Sequence, residues 1–208
     1  MLTGLQERVA RIVAALPEAD GFALAGGAAV IIHGIVDRGT DDLDFFGANF
    51  EGVALLAHSL TAALRADDLE VVAVTESPAF VRLCVRAAGE ETIVDRGTDA
   101  RLLPTDSTSL GETLSIRELA ADKLLALFSR AQARDFVDVA ALSERLGGLD
   151  EICELAAAKD AGFSRTVLAE MLGAFARLPR DEFGLDDAAY ALLADVVEHW
   201  RQALGRER

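Results

Sequence analysis

The sequence predicts an α+β fold, with a first half that mixes strands and helices and a second half of helices alone. Strand-like apolar runs are confined to the residues before about 114, whereas every later segment has apolar residues at helical spacing. The change follows the loop "DARLLPTDSTSLGE", whose Pro, Ser, Thr and Gly are typical of a boundary. We therefore predict an N-terminal domain over 1–112 and a C-terminal helical domain over 113–208.

The elements of the first half follow from local patterns. Thr3 precedes apolar residues at helical spacing and is a candidate N-cap of a helix that ends before Pro17. The stretch "GFALAGGAAVIIHG" predicts a short buried strand, a glycine turn and a short helix, and "DLDFF" alternates as a half-buried strand does. A helix is then predicted for "FEGVALLAHSLTAALRA", and strands for "LEVVAVT", "FVRLCVRA" and "ETIVD".

The second half contains five segments with helical periodicity, separated by Gly, Pro or capping residues. In order they are "SIRELAADKLLALFSR", "ARDFVDVAALSERLG", "LDEICELAAAKDAGF", "SRTVLAEMLGAFARLP" and "DDAAYALLADVVEHWRQAL".

Composition and charge narrow the protein class but not the substrate. No apolar run among the 208 residues reaches the roughly 18–20 needed to span a bilayer, and the start has no basic region typical of a signal peptide, so we expect a cytoplasmic protein without membrane contact. Cys84 and Cys153 lie in apolar patterns and are expected to be buried free thiols. The net charge of −15 disfavours broad binding to nucleic acid, although it permits a local basic surface.

A glycine pair and an aspartate pair carry the chemistry of the first half. Gly26 and Gly27 fall where a strand passes into a helix, whose amides favour anions, although an isolated pair is more often a simple turn. Asp42 and Asp44 in "TDDLD" are two residues apart, so on a strand they share one face, with about 6–7 Å between them. Such carboxylates repel unless a cation lies between them, and Mg²⁺ shared with nucleotide phosphates is the natural candidate. The alternative is an acidic strand edge that faces water.

The stretch "LAGGAAVIIHGIVDRGTDDLDFF" resembles the opening of the polymerase-β-like nucleotidyltransferases, and it is most similar to the branch of the AbiEii/AbiGii and MenT toxins. In that branch a Gly-Gly helix is followed by Arg-x-Ser/Thr-x-Asp-x-Asp, matched here by Arg38, Thr40, Asp42 and Asp44. The resemblance implies a polymerase-β-like α+β domain with a small mixed sheet, followed by a C-terminal helical bundle that completes the site.

The resemblance also implies roles for these residues. Gly26 and Gly27 would hold the triphosphate of an NTP, and Arg38 and Thr40 would lie close to the nucleotide. The aspartate pair would be catalytic and would bind Mg²⁺ or Mn²⁺. One departure is Ala28, because the family often has Ser or Thr after the glycine pair.

A hexapeptide that occurs twice in the sequence indicates a third candidate carboxylate of the site. The hexapeptide "VDRGTD" occurs at 36–41 and again at 94–99, in surroundings too dissimilar for a duplicated domain. The first copy leads into the aspartate pair, whereas in the second Asp95 ends a strand-like run. Family sites commonly have a third acid on a neighbouring strand, so the resemblance implies that Asp95 binds metal and helps to deprotonate the acceptor. The alternative is an ordinary aspartate in a turn.

The helical half contributes a lysine and two aspartates. Lys123 lies near the apolar side of its predicted helix, and Asp135 and Asp138 are at i and i+3 of the next one. On the residues alone, ion pairing on a helical surface is the simpler interpretation. However, the pattern recurs in the same toxin branch. The resemblance implies that Lys123 reaches the nucleotide phosphates, and that Asp135 or Asp138 orients the lysine or the nucleotide.

These features predict a metal-dependent nucleotidyltransferase toxin that moves a nucleoside monophosphate from an NTP to an acceptor hydroxyl. In related toxins the acceptor is the 3′ end of tRNA, which makes tRNA the first expectation, and a cognate antitoxin is the expected partner. The alternatives are a small-molecule acceptor, a protein hydroxyl, or a non-catalytic domain of the same fold that binds a partner.

Overall fold

The computed structural model describes residues 1–48 and 51–206 and divides into two compact units, Met1–Ser115 and Ile116–Arg208. The first unit contains, in chain order, α1 (Gly4–Ala14), β1 (Phe22–Ala25), α2 (Gly26–Ile32), β2 (Asp42–Gly47), α3 (Glu51–Ala66), β3 (Glu70–Ser77), β4 (Phe80–Ala87), β5 (Glu90–Thr98), β6 (Thr105–Thr108) and β7 (Gly111–Leu114).

The strands of this unit form one seven-stranded sheet in the order β3-β4-β5-β2-β1-β7-β6. The pairs β2–β5 and β1–β7 are parallel, and the other neighbouring pairs are antiparallel. The predicted α+β class with a mixed sheet is therefore confirmed. Because β2 has β5 on one side and β1 on the other, it lies inside the sheet.

Local sequence explains most of these elements. Thr3 caps α1 in a capping box with Gln6, as the sequence predicts. In β2, Leu43 and Phe45 are buried, whereas the alternating aspartates face the other side of the sheet. Four large apolar residues along one side of α3 are fully buried, and the helix packs against β3, β4 and β5. Its predicted start at Phe50 lies outside the described residues.

The prediction of a boundary loop before the helical half is wrong in part, because this segment contains the hairpin β6–β7. The strand β6 reads Thr-Asp-Ser-Thr and lies at the edge of the sheet, where polar side chains face water without loss of pairing. Gly111, with φ of +100°, supplies the turn, and β7 joins the sheet beside β1. Strands of this composition lack the apolar alternation on which the prediction relied.

The second unit is helical, with α4 (Ile116–Arg130), α5 (Ala133–Leu146), α6 (Leu149–Lys159), α7 (Arg165–Leu172) and α8 (Asp187–Gly205). The predicted fourth helix of this half ends early, at Leu172, and a short 3-10 turn follows at Phe175–Arg177. The turn directs the ring of Phe175 onto Phe136 and Phe183, with centroids 5.3 and 4.8 Å away. Packing of aromatic rings therefore overrides the helical periodicity of this segment.

Two further expectations concern the cysteines and the membrane. Cys84 and Cys153 are both buried thiols, as predicted. In the described part of the chain, no helix combines the length and the apolar character needed to cross a membrane.

Candidate active site

The predicted acidic residues of the first unit share one face of the sheet. The strands β2 and β5 run parallel with Asp44 directly beside Asp95, and Asp42 lies two residues earlier on the same face of β2. Neighbouring strands are about 4.8 Å apart, so Asp44 and Asp95 lie side by side, and the second hexapeptide pairs with the residues that follow the first. We call Asp42, Asp44 and Asp95 the carboxylate row.

Gly26 lies against this row. Ala25 ends β1 beside Asp44, and the chain then turns into α2 with φ of +61° at Gly26. A Cβ atom on Gly26 would lie 1.8 Å from Oδ2 of Asp44, so a side chain at this position is excluded both by the space and by the backbone conformation. Ala25 is the N-cap residue of α2 and has no polar side chain to cover the first amides of the helix.

Gly27 faces the other predicted nucleotide ligands. A Cβ atom there would lie 2.9 Å from Oγ1 of Thr40 and 3.3 Å from Nη2 of Arg38. Thr40 Oγ1 donates a hydrogen bond of 2.8 Å to Oδ1 of Asp42. The buried Gln6 of α1 donates to the Thr40 carbonyl at 2.8 Å, which fixes the loop before β2. Gly26 therefore lies beside Asp44, and Gly27 lies beside Thr40 and Arg38, all of them residues of the same sequence motif.

Ala28, the departure from the family pattern, is fully buried in the core. A methyl group suits this apolar position, whereas a buried hydroxyl would need a hydrogen-bond partner.

Arg82 is a residue of this face that the sequence reasoning missed. It lies on β4 opposite Asp95, where its Nε donates to Oδ1 at 2.7 Å and its Nη2 donates to Oδ2 at 2.6 Å. The hydrogen bond to Asp95 raises the pKa of Arg82, and the charges of Asp95, Asp42 and Asp44 raise it further. The available signal was the first of the two arginines in "FVRLCVRA", which lies well inside an apolar strand pattern.

A tight turn sets the register that pairs Arg82 with Asp95. The strands β4 and β5 are joined through Ala88 and Gly89, whose φ angles are +50° and +85°. Two-residue hairpins of type I′ require positive φ at both positions, and the turn fixes every cross-strand pair that follows.

The donor set of the row fits a divalent cation in part. Asp42 and Asp44 offer hard oxygen ligands on one face, and Mg²⁺ is usually held by one or two carboxylates together with phosphates and water. Among residues 1–48 and 51–206, no group of three or more His, Cys, Asp or Glu is arranged to hold a metal ion. Both oxygens of Asp95 accept hydrogen bonds from Arg82. The aspartate pair therefore fits a cation shared with a triphosphate, whereas the third carboxylate is held by an arginine.

Arg96, which follows Asp95, points to the opposite face of the sheet. It is fully buried, and its three guanidinium nitrogens find no hydrogen-bond partner among the described residues. Burial lowers the pKa of Arg96 to about 10. Because Arg96 points to the opposite face of the sheet, it is not part of the site formed by the carboxylate row.

In the second unit, the predicted site residues form two ion pairs. Lys123 of α4 and Asp138 of α5 are both buried, with Nζ and Oδ2 2.8 Å apart. Asp135 instead accepts two hydrogen bonds from Arg130, at 3.0 and 2.9 Å, and a third from the backbone N–H of Gln132. Asp138 therefore contacts the lysine, and Asp135 fixes the junction between α4 and α5.

Comparison with known proteins gives one family and a set of related folds. The family model described as "Nucleotidyl transferase AbiEii toxin, Type IV TA system" matches residues 9–206. A search of curated proteins gives no significant match.

Three solved structures with similar folds come from two organisms. The nucleotidyltransferase toxin MenT4 (Rv2826c) of Mycobacterium tuberculosis H37Rv superposes with a TM-score of 0.65 and 16% identity, over 95% of this chain and 82% of that one. JHP933 of Helicobacter pylori gives 0.60 and 18%, over 100% and 96% of the two chains. A putative nucleotidyltransferase of H. pylori gives 0.60 and 17%, over 98% and 97%. At these identities the likeness shows the fold.

Proposed function

The chain belongs to the AbiEii family of nucleotidyltransferase toxins, and on this basis we propose that it transfers a nucleoside monophosphate from an NTP to an acceptor hydroxyl with the help of Mg²⁺ or Mn²⁺. The observation that carries the proposal is the contact between Gly26 and Asp44. It joins the start of a helix, which favours phosphate, to a carboxylate suited to a divalent cation.

Asp42 and Asp44 would hold the metal, which when bound polarises the phosphates and stabilises the departing pyrophosphate. A side chain on Gly26 would meet Asp44, and one on Gly27 would meet Thr40. Because both positions are glycine, no side chain covers the first amides of α2, which are then accessible to phosphate oxygens. Thr40 orients Asp42 through its 2.8 Å hydrogen bond, and Arg38 adds positive charge beside Gly27.

The reaction itself forms a bond from the acceptor oxygen to the α-phosphorus and breaks the bond between that phosphorus and the bridging oxygen to the β-phosphate. The hydroxyl proton must leave as the new bond forms, and a carboxylate of the row is the base available on this face. Asp95 is our candidate for that role, provided that Arg82 leaves at least one of its oxygens.

Lys123 is our candidate for neutralising the triphosphate, as the family resemblance implies. Its ammonium group lies 2.8 Å from Asp138, which restricts the lysine to one position. Asp135 contributes indirectly, by holding Arg130 and the start of α5.

For the acceptor we propose the 3′ end of tRNA, with a cognate antitoxin as the regulatory partner. The family description as a toxin of a toxin–antitoxin system supports the antitoxin, whereas the choice of tRNA rests on the resemblance to toxins that act on it. The net charge of −15 requires any RNA to be bound through a local basic surface instead of the general charge of the protein.

The decisive experiment incubates the protein with each of the four α-³²P-labelled NTPs, Mg²⁺ and total tRNA. We expect label in RNA, and we expect Asp44→Asn to abolish it. Asp37→Asn is the matched control, because Asp37 lies in the hexapeptide that leads into the aspartate pair but its side chain is 98% exposed.

Each other outcome selects an alternative. Label in protein would identify a protein hydroxyl as the acceptor. Metal-dependent NTP binding without labelled polymer would indicate a small-molecule acceptor. A protein that binds neither NTP nor metal would be a non-catalytic member of the fold.

A further inference from the structure

Asp95 occupies the middle of a charged line that crosses three strands. Arg82 of β4 lies on one side of it and Asp44 of β2 on the other. The Asp95 side chain is only 7% exposed, whereas that of Arg82 is 43% exposed. Both oxygens of Asp95 are directed at the guanidinium, 2.7 and 2.6 Å from its Nε and Nη2.

This line concentrates negative charge on one face of the sheet. Carboxylates one strand apart repel each other, and the repulsion grows where water is excluded. Arg82 reduces it, since its guanidinium pairs with Asp95 and is within electrostatic range of Asp42 and Asp44. The guanidinium also lies 5.7 Å from the ring centroid of Phe80, which helps to hold it beside the row.

A guanidinium and a divalent metal ion are both cations that would bind the carboxylate of Asp95. While Arg82 donates to both oxygens, it takes one lone pair of each and keeps a positive charge beside the row, so it opposes the binding of a metal ion by Asp95. We propose that Arg82 is the counter-cation of the carboxylate row in the metal-free protein, and that it gives up Asp95 when a divalent cation binds. The inference rests on the proposed function, because it takes the row as the metal site.

The geometry identifies Arg82 as the partner that moves. Asp95 is buried on an inner strand of the sheet, so its carboxylate has little freedom, whereas the longer and more exposed arginine can swing toward water. The released guanidinium keeps its charge on the same face. There it can donate to the triphosphate that arrives with the metal.

The test measures Mn²⁺ binding by electron paramagnetic resonance, in the absence of nucleotide, for wild type, Arg82→Gln and Arg86→Gln. Removing Arg82 abolishes a competitor held by two charge-assisted hydrogen bonds, so Arg82→Gln is expected to bind Mn²⁺ roughly tenfold more tightly. Arg86 lies on the same strand and face, is 47% exposed and pairs with Glu91 at 2.5 Å, so Arg86→Gln should bind like wild type.

Thermal unfolding provides a second readout. Without metal, Arg82→Gln should unfold at a lower temperature than wild type, because the row loses its counter-cation. Saturating Mn²⁺ should raise its unfolding temperature by more than it raises that of wild type. If Arg82 were purely structural, its replacement would lower the unfolding temperature without metal but would not enlarge the rise caused by Mn²⁺.

The outcomes separate this inference from the proposed function. If wild type binds Mn²⁺ and Arg82→Gln binds it equally or more weakly, the counter-cation role is wrong and the metal-dependent function stands. If neither protein binds Mn²⁺ without nucleotide, the inference fails, and the same titration with a non-hydrolysable NTP decides whether the metal-dependent function fails with it.

If Arg82→Gln does not fold, the inference can be tested by nuclear magnetic resonance of the wild-type protein. The Arg82 Nε–H resonance, assigned by its loss in Arg82→Lys, should exchange slowly with solvent without metal and faster at saturating Mg²⁺. Unchanged exchange would overturn the inference.

Discussion

Replacing Gly26 with alanine tests how closely the start of α2 approaches the carboxylate row. The added methyl group would lie 1.8 Å from Oδ2 and 2.7 Å from Cγ of Asp44, which is far inside van der Waals contact. Because β2 is an inner strand, Asp44 can respond only by rotating its side chain away from the helix start. We therefore expect Gly26→Ala to move the Asp44 carboxylate out of the position in which we propose that it binds the metal.

The expected loss of stability has two parts. An alanine at φ of +61° is in the left-handed region, which costs about 1–2 kcal/mol. Forcing Asp44 into another rotamer adds roughly 0.5–1.5 kcal/mol. Gly34 provides the matched control, because its φ is +67° and a Cβ atom there would meet nothing within 4 Å. Gly34→Ala therefore carries only the backbone part.

Calorimetric unfolding and Mn²⁺ titration of the two variants separate these effects. Both should unfold at lower temperatures than wild type, whereas only Gly26→Ala should lose at least about tenfold in Mn²⁺ affinity, the equivalent of 1.4 kcal/mol. Equal Mn²⁺ affinity in Gly26→Ala and Gly34→Ala would refute the reasoning, because Asp44 would then not be needed where the structure has it.

Three further predictions concern buried and exposed charges. Arg96→Met should raise the free energy of unfolding by about 1–3 kcal/mol at pH 7, measured by urea denaturation, since burial penalises the charged guanidinium. The pKa of Arg96 is about 10, below the usual 12.5, so the charged form destabilises the folded protein in full at any pH below 10. Lys123→Met should destabilise the second unit by about 3–5 kcal/mol because Asp138 is fully buried, and adding Asp138→Leu should restore much of that loss in the same assay. The hydrogen bond from Arg201 lowers the pKa of Glu198 from 4.5 to about 2, so its contribution to stability is present above pH 4.5 and lost as the pH falls toward 2. The difference in unfolding temperature between wild type and Glu198→Gln should shrink over that interval, and a difference that is constant with pH would contradict this assignment.

The elements that the sequence predicted well are those in which burial follows a strict period. In β2, Leu43 and Phe45 alternate with aspartates, and the alternation allows only one way to bury the strand. Thr3 was likewise identifiable, because the capping box is a local interaction. The hairpin β6–β7 was not, since an edge strand made of Thr, Asp and Ser has no apolar face to detect.

For the candidate site, spacing along one strand was predictable and pairing between strands was not. Asp42 and Asp44 share a face wherever their strand lies. Arg82 joins Asp95 only because the turn at Ala88 and Gly89 fixes the register of β4 against β5. A non-glycine residue with positive φ at the first turn position is uncommon, so this register was difficult to predict from the sequence.

The parallel pairing of β2 with β5 also bears on the order in which the protein folds. Residues 44 and 95 become neighbours only after the chain has passed through α3 and the β3–β4 hairpin between them. Closing so long a segment is entropically costly, and contacts between distant positions slow folding. We therefore expect the α3 and hairpin segments to form before the acidic strands meet. The carboxylate row would then be completed late, and a nascent chain that has not yet emerged from the ribosome beyond β5 would lack Asp95 beside Asp44.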